Sequence, residues 1–181
     1  MKATGIVRRI DDLGRVVIPK EIRRTMRIRE GDPLEIYTDK EGGVIFKKYS
    51  LMGGLSDFAA QICDTLNKTT GQIAAITDRD ACIAVTGAAK RELMDKRISG
   101  ELEQLMEGRQ PFLSAAGTSP LPISEDSDRF FVTTAAPILS GGDVLGAVCF
   151  LSAGADAPPA SELESKLAQT IAGFLGRHME T

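Results

Sequence analysis

The spacing of apolar and charged positions divides the first fifty residues into short strands around one helix. Residues 6–10 hold Ile and Val among charged neighbours, and the turn-forming residues 11–14 follow them, so this pattern predicts a strand that ends in a turn. Residues 16–18 are all β-branched and predict a second strand. Pro19 must end that strand, because proline has no amide hydrogen to give to a ladder.

A helix is predicted from Pro19 to about Ile28, since proline suits the first helical position and Gly31-Asp32 follows the segment. Within it, Ile22 and Met26 are four residues apart and are expected to face a core. The remaining part of this region is predicted to be a hairpin of two strands. They lie at residues 34–37 and 44–46, with the turn at 39–43.

Apolar residues at spacings of three and four predict a helix at each end of the rest of the chain. The first stripe comprises Leu55, Phe58, Ala59, Ile62 and Leu66. At the far end, Ser161 and Glu164 have capping-box spacing. The stripe after them comprises Leu163, Leu167, Ile171, Phe174 and Leu175. Such helices could pack against each other, against a sheet, or in a bundle across subunits.

Between these helices the pattern predicts strands in pairs. The predicted elements are strands at residues 73–77 and 82–85, a helix from Ser99 to Met106 ended by Gly108, and strands at residues 130–139 and 144–152 around the hairpin 140–143. A helix before, a sheet of hairpins and a helix after make an α+β sandwich.

Charge separates the two regions. Residues 1–50 hold 12 Lys and Arg against 8 Asp and Glu, a balance of +4, whereas the remaining residues hold 10 against 17, a balance of −7. A polyanion would be attracted to the first region and repelled by the second. We therefore expect a basic domain at 1–50, a linker at 51–54 containing a Gly-Gly pair, and an acidic domain at 55–181.

Composition and cysteine spacing limit the cellular location and the chemistry expected of the protein. The N-terminal residues lack the apolar core of a secretory signal, and the longest apolar stretch, at residues 144–155, is far shorter than the ~20 residues that span a bilayer. Cys63, Cys82 and Cys149 are widely separated and have no metal-ligand spacing. We expect a cytoplasmic protein without a disulfide framework, a metal site, a cofactor or a membrane partner.

Fifty residues bury too small a fraction of their surface to be securely stable alone. We expect a second copy whose strands interleave with the first, giving a dimer that completes the core. The dimer presents each basic residue twice around a two-fold axis, which suits the two half-sites of a DNA duplex. The candidate DNA-binding residues are Arg8, Arg9, Arg15, Arg23 and Arg24.

Arginine can hold either a phosphate or the edge of a guanine, and the sequence does not sort the five residues between these roles. Each of them could instead form an ordinary surface salt bridge. The carboxylates close in sequence are Asp11, Asp12, Glu21 and Glu30.

Residues 2–49, which contain the run GRVVIPKEIRR, resemble the swapped-hairpin DNA-binding domain of AbrB-type transition-state regulators. The resemblance implies an interleaved β-rich dimer that presents arginines to double-stranded DNA. The family's DNA-contacting arginines correspond to Arg8, Arg15, Arg23 and Arg24, with Arg9 beside the first. Many members have glycine where this chain has Arg27, which leaves open whether Arg27 adds a phosphate contact or pairs with Glu21 or Glu30.

The run APILSGGDVLGAVCFLS and the turn at residues 78–80 resemble a GAF domain, over about residues 54–179. This resemblance implies a pocket on one face of the sheet, covered by the loop at 115–124 and the helix before it. No motif there identifies a ligand. The domain could therefore sense an unknown small molecule, or it could only join dimers into tetramers through its terminal helices.

Other candidate chemistry is weak. Glu125, Asp126 and Asp128 lack the spacing of an EF-hand and are expected to form a solvated loop. His178, the single histidine, fits the C-terminal end of a helix, where it interacts with the dipole. Some GAF domains reduce methionine sulfoxide through cysteines, but Cys82 and Cys149 lie in apolar strands that favour inert burial, and no catalytic residue is predicted.

An AbrB-like domain joined to a longer C-terminal domain resembles, more narrowly, a transcription regulator of spore-forming bacteria. We expect a homo-oligomeric, sequence-specific DNA-binding regulator of sporulation that is not an enzyme. The alternatives are a GAF-type redox enzyme and an oligomer that bridges DNA without sensing a ligand.

Overall fold

The computed structural model describes residues 4–156 and 158–180. It contains two compact units, and the boundary falls between Tyr49 and Ser50. Each unit has its own antiparallel sheet with helices, so the chain has the predicted α+β class.

The N-terminal unit contains one helix and one hairpin. Its elements are α1 (Lys20–Thr25), β1 (Leu34–Thr38) and β2 (Val44–Lys48). The predicted hairpin is confirmed, with Ile36 opposite Phe46 in the antiparallel register. Gly42 takes a φ of +86° in the turn, a conformation that glycine adopts without steric cost.

The predicted strands at residues 6–10 and 16–18 are wrong for the single chain. Residues 4–18 contain a turn, in which the amide of Asp11 donates to the carbonyl of Arg15 over 3.0 Å, but they form no strand. A strand needs a neighbour for its hydrogen-bond ladder. Within one chain, the described part of the N-terminal unit pairs only β1 with β2, so these residues have no such neighbour.

The helix in this unit is shorter than predicted, because it ends at Thr25 and not near Ile28. Ile22 is half-buried as expected, whereas Met26 is exposed. The helix ends early because the backbone turns at Arg27, which has a φ of +51°.

The second unit is a six-stranded sheet between two layers of helix. Its elements are α2 (Ser56–Thr70), β3 (Ile73–Asp78), β4 (Cys82–Val85), α3 (Lys90–Leu93), α4 (Gly100–Glu107), β5 (Phe112–Leu113), β6 (Leu121–Pro122), β7 (Phe130–Ser140), β8 (Asp143–Ala153) and α5 (Glu162–His178). The strand order is β4-β3-β8-β7-β5, and β6 also pairs with β7. The four long strands and three helices predicted from the sequence are confirmed.

Two apolar cores lie on the two faces of this sheet. Side chains of α2 and α5 share one core with Ile76 and Phe150. Side chains of α4 share the other with Val132 and Cys149. Of the three arrangements that the sequence allowed for the terminal helices, two are found within the chain: both helices pack against the sheet, and Phe58 of α2 also contacts Phe174 of α5.

Residues 51–54, expected to be a linker, lie in the second unit. Met52 is fully buried in the core beneath α2, and residues Gly53–Leu55 form a turn of 3₁₀ helix. The start of this unit is therefore held by packing.

Both edges of the sheet are short or covered. Along the outer side of β4, the amide of Cys82 donates to the carbonyl of Lys96 over 3.0 Å, and Ala81 forms a bridge with Arg97. The opposite edge consists of two-residue strands, and one of them ends in Pro122. Neither edge offers a long row of unpaired backbone groups.

Gly176 sets how closely α5 packs against the sheet, because a Cβ at this position would lie 2.0 Å from the carbonyl oxygen of Leu139. We expect Gly176→Ala to lower the free energy of unfolding by about 1–3 kcal/mol, since the helix must move away from β7. Gly173→Ala is the matched control in the same helix. A Cβ there meets nothing within 4 Å, so alanine should stabilise by about 0.5–1 kcal/mol.

Urea unfolding followed by circular dichroism at 222 nm measures both variants. Equal stabilities would show that the close contact between α5 and Leu139 does not constrain the fold.

Candidate nucleic-acid interface

The five candidate DNA-binding arginines are all exposed and lie on two local structures. Arg8 and Arg9 precede the turn at residues 11–14, and Arg15 follows it. Arg23 and Arg24 lie in the last turn of α1. The structure thus leaves all five side chains accessible to a ligand.

Asp11 organises the turn beside Arg15. Its carboxylate accepts hydrogen bonds from the amide of Arg15 over 2.8 Å, from the guanidinium Nε of Arg15 over 2.8 Å, and from the amide of Leu13 over 3.0 Å. Of the carboxylates that could compete for Arg15, Asp11 is thus the one that pairs with it, while 69% of the arginine side chain stays exposed. An exposed pair of this kind contributes little energy, so a phosphate can replace Asp11 as the partner.

The amide of Arg15, followed by its guanidinium, holds the pKa of Asp11 below its usual range. A lowered pKa means that the folded turn binds the ionised carboxylate preferentially. The contribution of Asp11 to the turn is therefore complete above the ordinary pKa of an aspartate, and it is lost as the pH falls through the lowered value.

Helix α1 is a short platform for Arg23 and Arg24. Pro19 precedes it, and the carbonyl of Pro19 accepts the amide of Arg23 over 3.0 Å. The helix has six residues, none of them buried. An isolated helix of this length is unstable in water, so its position depends on what holds its ends.

The C-terminal end of α1 is a left-handed corner at Arg27. The amide of Ile28 donates to the carbonyl of Arg23 over 2.8 Å, and the amide of Arg27 donates to the carbonyl of Arg24 over 3.3 Å. This is the Schellman pattern, in which the residue with positive φ is usually glycine. Arg27 therefore holds, at a steric cost, a backbone conformation that glycine would adopt freely.

The second unit has a cavity of about 350 Å³ at the sheet edge formed by β5 and β6. The loop at residues 114–120 covers it, as predicted for the loop at 115–124, but α4 does not line it. Phe112 and Phe131 supply apolar walls, and Asp156 supplies a carboxylate. Among the described residues around the cavity none is basic, so an anionic ligand would find no cation there.

The outer side of the terminal helices is apolar and open to solvent. Leu163 is 66% exposed and Phe174 is 52% exposed. The ring of Phe174 lies 6.2 Å from that of Phe58 on α2 and 6.2 Å from that of His178. Phe58, Phe174 and His178, here called the helix face, form an aromatic surface that crosses both helices.

The three cysteines are buried and free. Burial raises the pKa of Cys63 and of Cys82 to about 12, and it raises that of Cys149 further. A thiolate is the nucleophilic form, so these thiols are unreactive at neutral pH. Within residues 4–156 and 158–180, no three His, Cys, Asp or Glu side chains form a group that could hold a metal ion.

No helix in the part of the chain that the structure describes is both long and apolar enough to cross a bilayer.

Comparison with known proteins gives matches along the whole chain. Residues 54–180 match the family described as stage V sporulation protein T C-terminal, transcription factor. Residues 7–51 match the family described as antidote-toxin recognition MazE, bacterial antitoxin.

Two proteins of Bacillus subtilis (strain 168) are similar to this chain. Stage V sporulation protein T is 49% identical over 180 residues, which cover 99% of each chain. Transition state regulatory protein AbrB is 65% identical over 49 residues, which cover 27% of this chain and 50% of AbrB. The resemblance predicted for the N-terminal residues is thereby confirmed.

Among solved structures, the second GAF domain of DevS from Mycobacterium smegmatis aligns with a TM-score of 0.50 at 13% identity, covering 69% of this chain and 92% of that one. At this identity the likeness concerns the fold alone. It agrees with the GAF-like fold predicted for the second unit.

The left-handed corner is testable by comparing Arg27→Gly with Arg27→Ala, since both variants lose the same side chain contacts. Alanine pays the steric cost of positive φ and glycine does not, although glycine loses more freedom on folding. We expect the glycine variant to be more stable by about 1 kcal/mol. The chain has two tyrosines and no tryptophan. Because both Tyr37 and Tyr49 lie in the N-terminal unit, urea unfolding followed by tyrosine fluorescence reports on that unit. An alanine variant as stable as the glycine variant would contradict the left-handed conformation assigned to Arg27.

Proposed function

The chain belongs to the stage V sporulation protein T family of transcription factors, and from this premise we propose that two copies of its N-terminal unit form one DNA-binding surface. Arg8, Arg9, Arg15, Arg23 and Arg24 of each copy contact the duplex. The second unit joins such dimers and sets how they are arranged. The protein acts where bacterial DNA lies, in the cytoplasm.

One observation carries the proposal of a dimer: no residue between 4 and 49 is buried in the single chain. Large apolar side chains are open to water, including Val7, which is 89% exposed, and Ile10 and Val17, each 69% exposed. Apolar surface of this extent marks an interaction surface. A second copy would bury these side chains and supply the neighbours that residues 6–10 and 16–18 need to form strands.

The same segment carries the positive charge. The balance of +4 over residues 1–50 is doubled in a dimer, and the resulting field attracts a polyanion before any specific contact forms. Arg15 then exchanges Asp11 for phosphate or base, while Arg23 and Arg24 approach from the end of α1. The two-fold symmetry of the dimer fits an operator with two half-sites.

For DNA binding, we expect Arg15→Ala and Arg24→Ala each to weaken binding at least 10-fold, because each removes a charge-assisted contact from both halves of the dimer. If the lost contact is to phosphate, the slope of log K against log salt falls in magnitude by about one per contact. Fluorescence anisotropy over a range of salt concentrations measures both quantities. The probe is a duplex selected by the parent protein from a random-sequence pool.

Lys68→Ala is the matched control, since Lys68 is an exposed residue of α2 in the acidic unit and its loss changes the net charge equally. Unchanged binding by the arginine variants, or an equal loss in the control, would refute the assignment of these arginines.

Assembly beyond the dimer is proposed to use the helix face. Covering the exposed ring of Phe174 in a second copy would gain free energy, at about 25 cal/mol per Å² of apolar area. Linking two DNA-binding dimers raises their apparent affinity by effective concentration when both can engage the same DNA. A tetramer joined at the terminal helices would bring two DNA segments together.

A charge placed on the helix face should prevent this assembly, because burying an unpaired carboxylate is costly. We expect Phe174→Glu to shift the solution mass, measured by light scattering, from tetramer to dimer. Gln169→Glu places the same charge on the same helix outside the helix face and should remain tetrameric. If both variants keep the mass of the parent, or if the parent is only a dimer, the proposed interface is wrong.

The cavity beneath the loop at 114–120 favours a sensing role for the second unit, with a ligand that is neutral or cationic. Ser114, which lines the cavity, accepts the amide of Ala160 over 3.2 Å just before α5, so ligand contacts at this loop reach the helix that carries the helix face. A ligand can change DNA binding only by favouring one arrangement of the dimers. Screening small cations and neutral metabolites by thermal shift tests this role, since a binder of the folded state must raise the Tm.

The redox alternative requires a reactive thiol. All three thiols are buried with raised pKa values, and we propose that the second unit does not catalyse cysteine-dependent reduction.

A further inference from the structure

The left-handed corner after α1 is tied to the last strand of the N-terminal hairpin. The Nζ of Lys48, at the end of β2, donates to the carbonyl of Arg27 over 2.9 Å. This carbonyl lies just beyond the end of a helix, where carbonyl groups carry partial negative charge and lack partners within the helix. An ammonium group is therefore a favourable donor for it.

Asp32 holds the same lysine from the other side. Its carboxylate lies 3.7 Å from the Nζ of Lys48, and only 4% of its side chain is exposed. It also accepts the amide of Arg29 over 2.8 Å. Removing one partner of a buried ion pair leaves an uncompensated charge, so Asp32 keeps Lys48 in place at the corner.

Lys48 is poorly placed to act as a DNA contact itself. Its side chain is 25% exposed, and its ammonium group is directed to the corner and to Asp32. The preceding residue, Lys47, is exposed and lies over the ring of Tyr37 at 4.6 Å. Adjacent residues of a strand point to opposite faces, so the two lysines of β2 carry the same charge in different surroundings.

We propose that Lys48 is a positioning residue for DNA binding: it fixes the end of α1 on β2 and thereby places Arg23 and Arg24. The inference rests on the proposed contact of these arginines with DNA. It follows from the weakness of α1, whose six residues include none that is buried. The bond from Lys48 reaches the corner three residues after Arg24, and a shift of the corner moves both arginines with it.

The test compares Lys48→Met with Lys47→Met, which removes the same charge from the neighbouring residue. We expect Lys48→Met to weaken binding to the selected duplex about 10-fold because Arg23 and Arg24 are displaced, and the salt slope should fall only as far as phosphate contacts of these two arginines are lost. Lys48→Arg keeps the charge and the donors and should bind within about 3-fold of the parent. Lys47→Met should weaken binding less than Lys48→Met does.

A double-mutant cycle identifies the route of the effect. If Lys48 acts through the arginines, Lys48→Met has little further effect once Arg24 is alanine, and the two losses are not additive. Additive losses would overturn the proposal, as would equal effects of the two lysine variants or parent-like binding by Lys48→Met.

Tyrosine fluorescence shows whether each variant retains a folded N-terminal unit. If Lys48→Met does not fold, Lys48→Leu, which also lacks a donor for the Arg27 carbonyl, takes its place in the cycle with the same expectation of non-additivity. If Arg24→Ala binds like the parent, the proposed function fails. If Arg24→Ala weakens binding and neither Lys48 variant does, only the positioning role fails.

Discussion

The lack of a core within residues 4–49 is the constraint on which the rest of the molecule depends. Apolar side chains such as Val7 and Val17 are open to water in the single chain, while the second unit buries two full cores. Folding and pairing of the N-terminal unit are therefore expected to be coupled, since the free energy of apolar burial becomes available only when two copies meet. A DNA-binding surface made in this way exists only in the paired state.

Within the proposed DNA-binding surface, the arginines are placed by bonds between side chains and backbone. Asp11 closes the turn that carries Arg15, and a left-handed corner closes the helix that carries Arg23 and Arg24. Such local bonds are individually modest. They matter because the elements that they hold are too short to hold themselves.

The sequence was most informative where one local pattern decides the structure. Ser161 and Glu164 predicted the start of α5, and both halves of the capping box are present. It was least informative where the conformation of a residue depends on contacts with residues outside its own segment. The strands expected at residues 6–10 and 16–18 had the right composition but no neighbour in the chain, and the end of α1 depended on the conformation of Arg27. The strands β5 and β6 have two residues each, too few for any periodicity.

The candidate arginines were found from charge and resemblance. The sequence pattern did not single out Lys48 and Asp32, because their proposed roles arise only where the end of α1 contacts β2.

The blunted edges of the second sheet limit how copies of this chain can associate. With β4 covered by residues 95–97 and β6 ending in Pro122, this sheet offers the same sheet of another copy no long edge with which to pair. Growth without limit, as in a fibre, needs an interface that repeats head to tail. A surface that crosses α2 and α5 can instead pair with its own copy and be used up in doing so. The proposed assembly is therefore a closed particle of fixed size, in which the number of DNA-binding surfaces stays the same as the protein concentration rises.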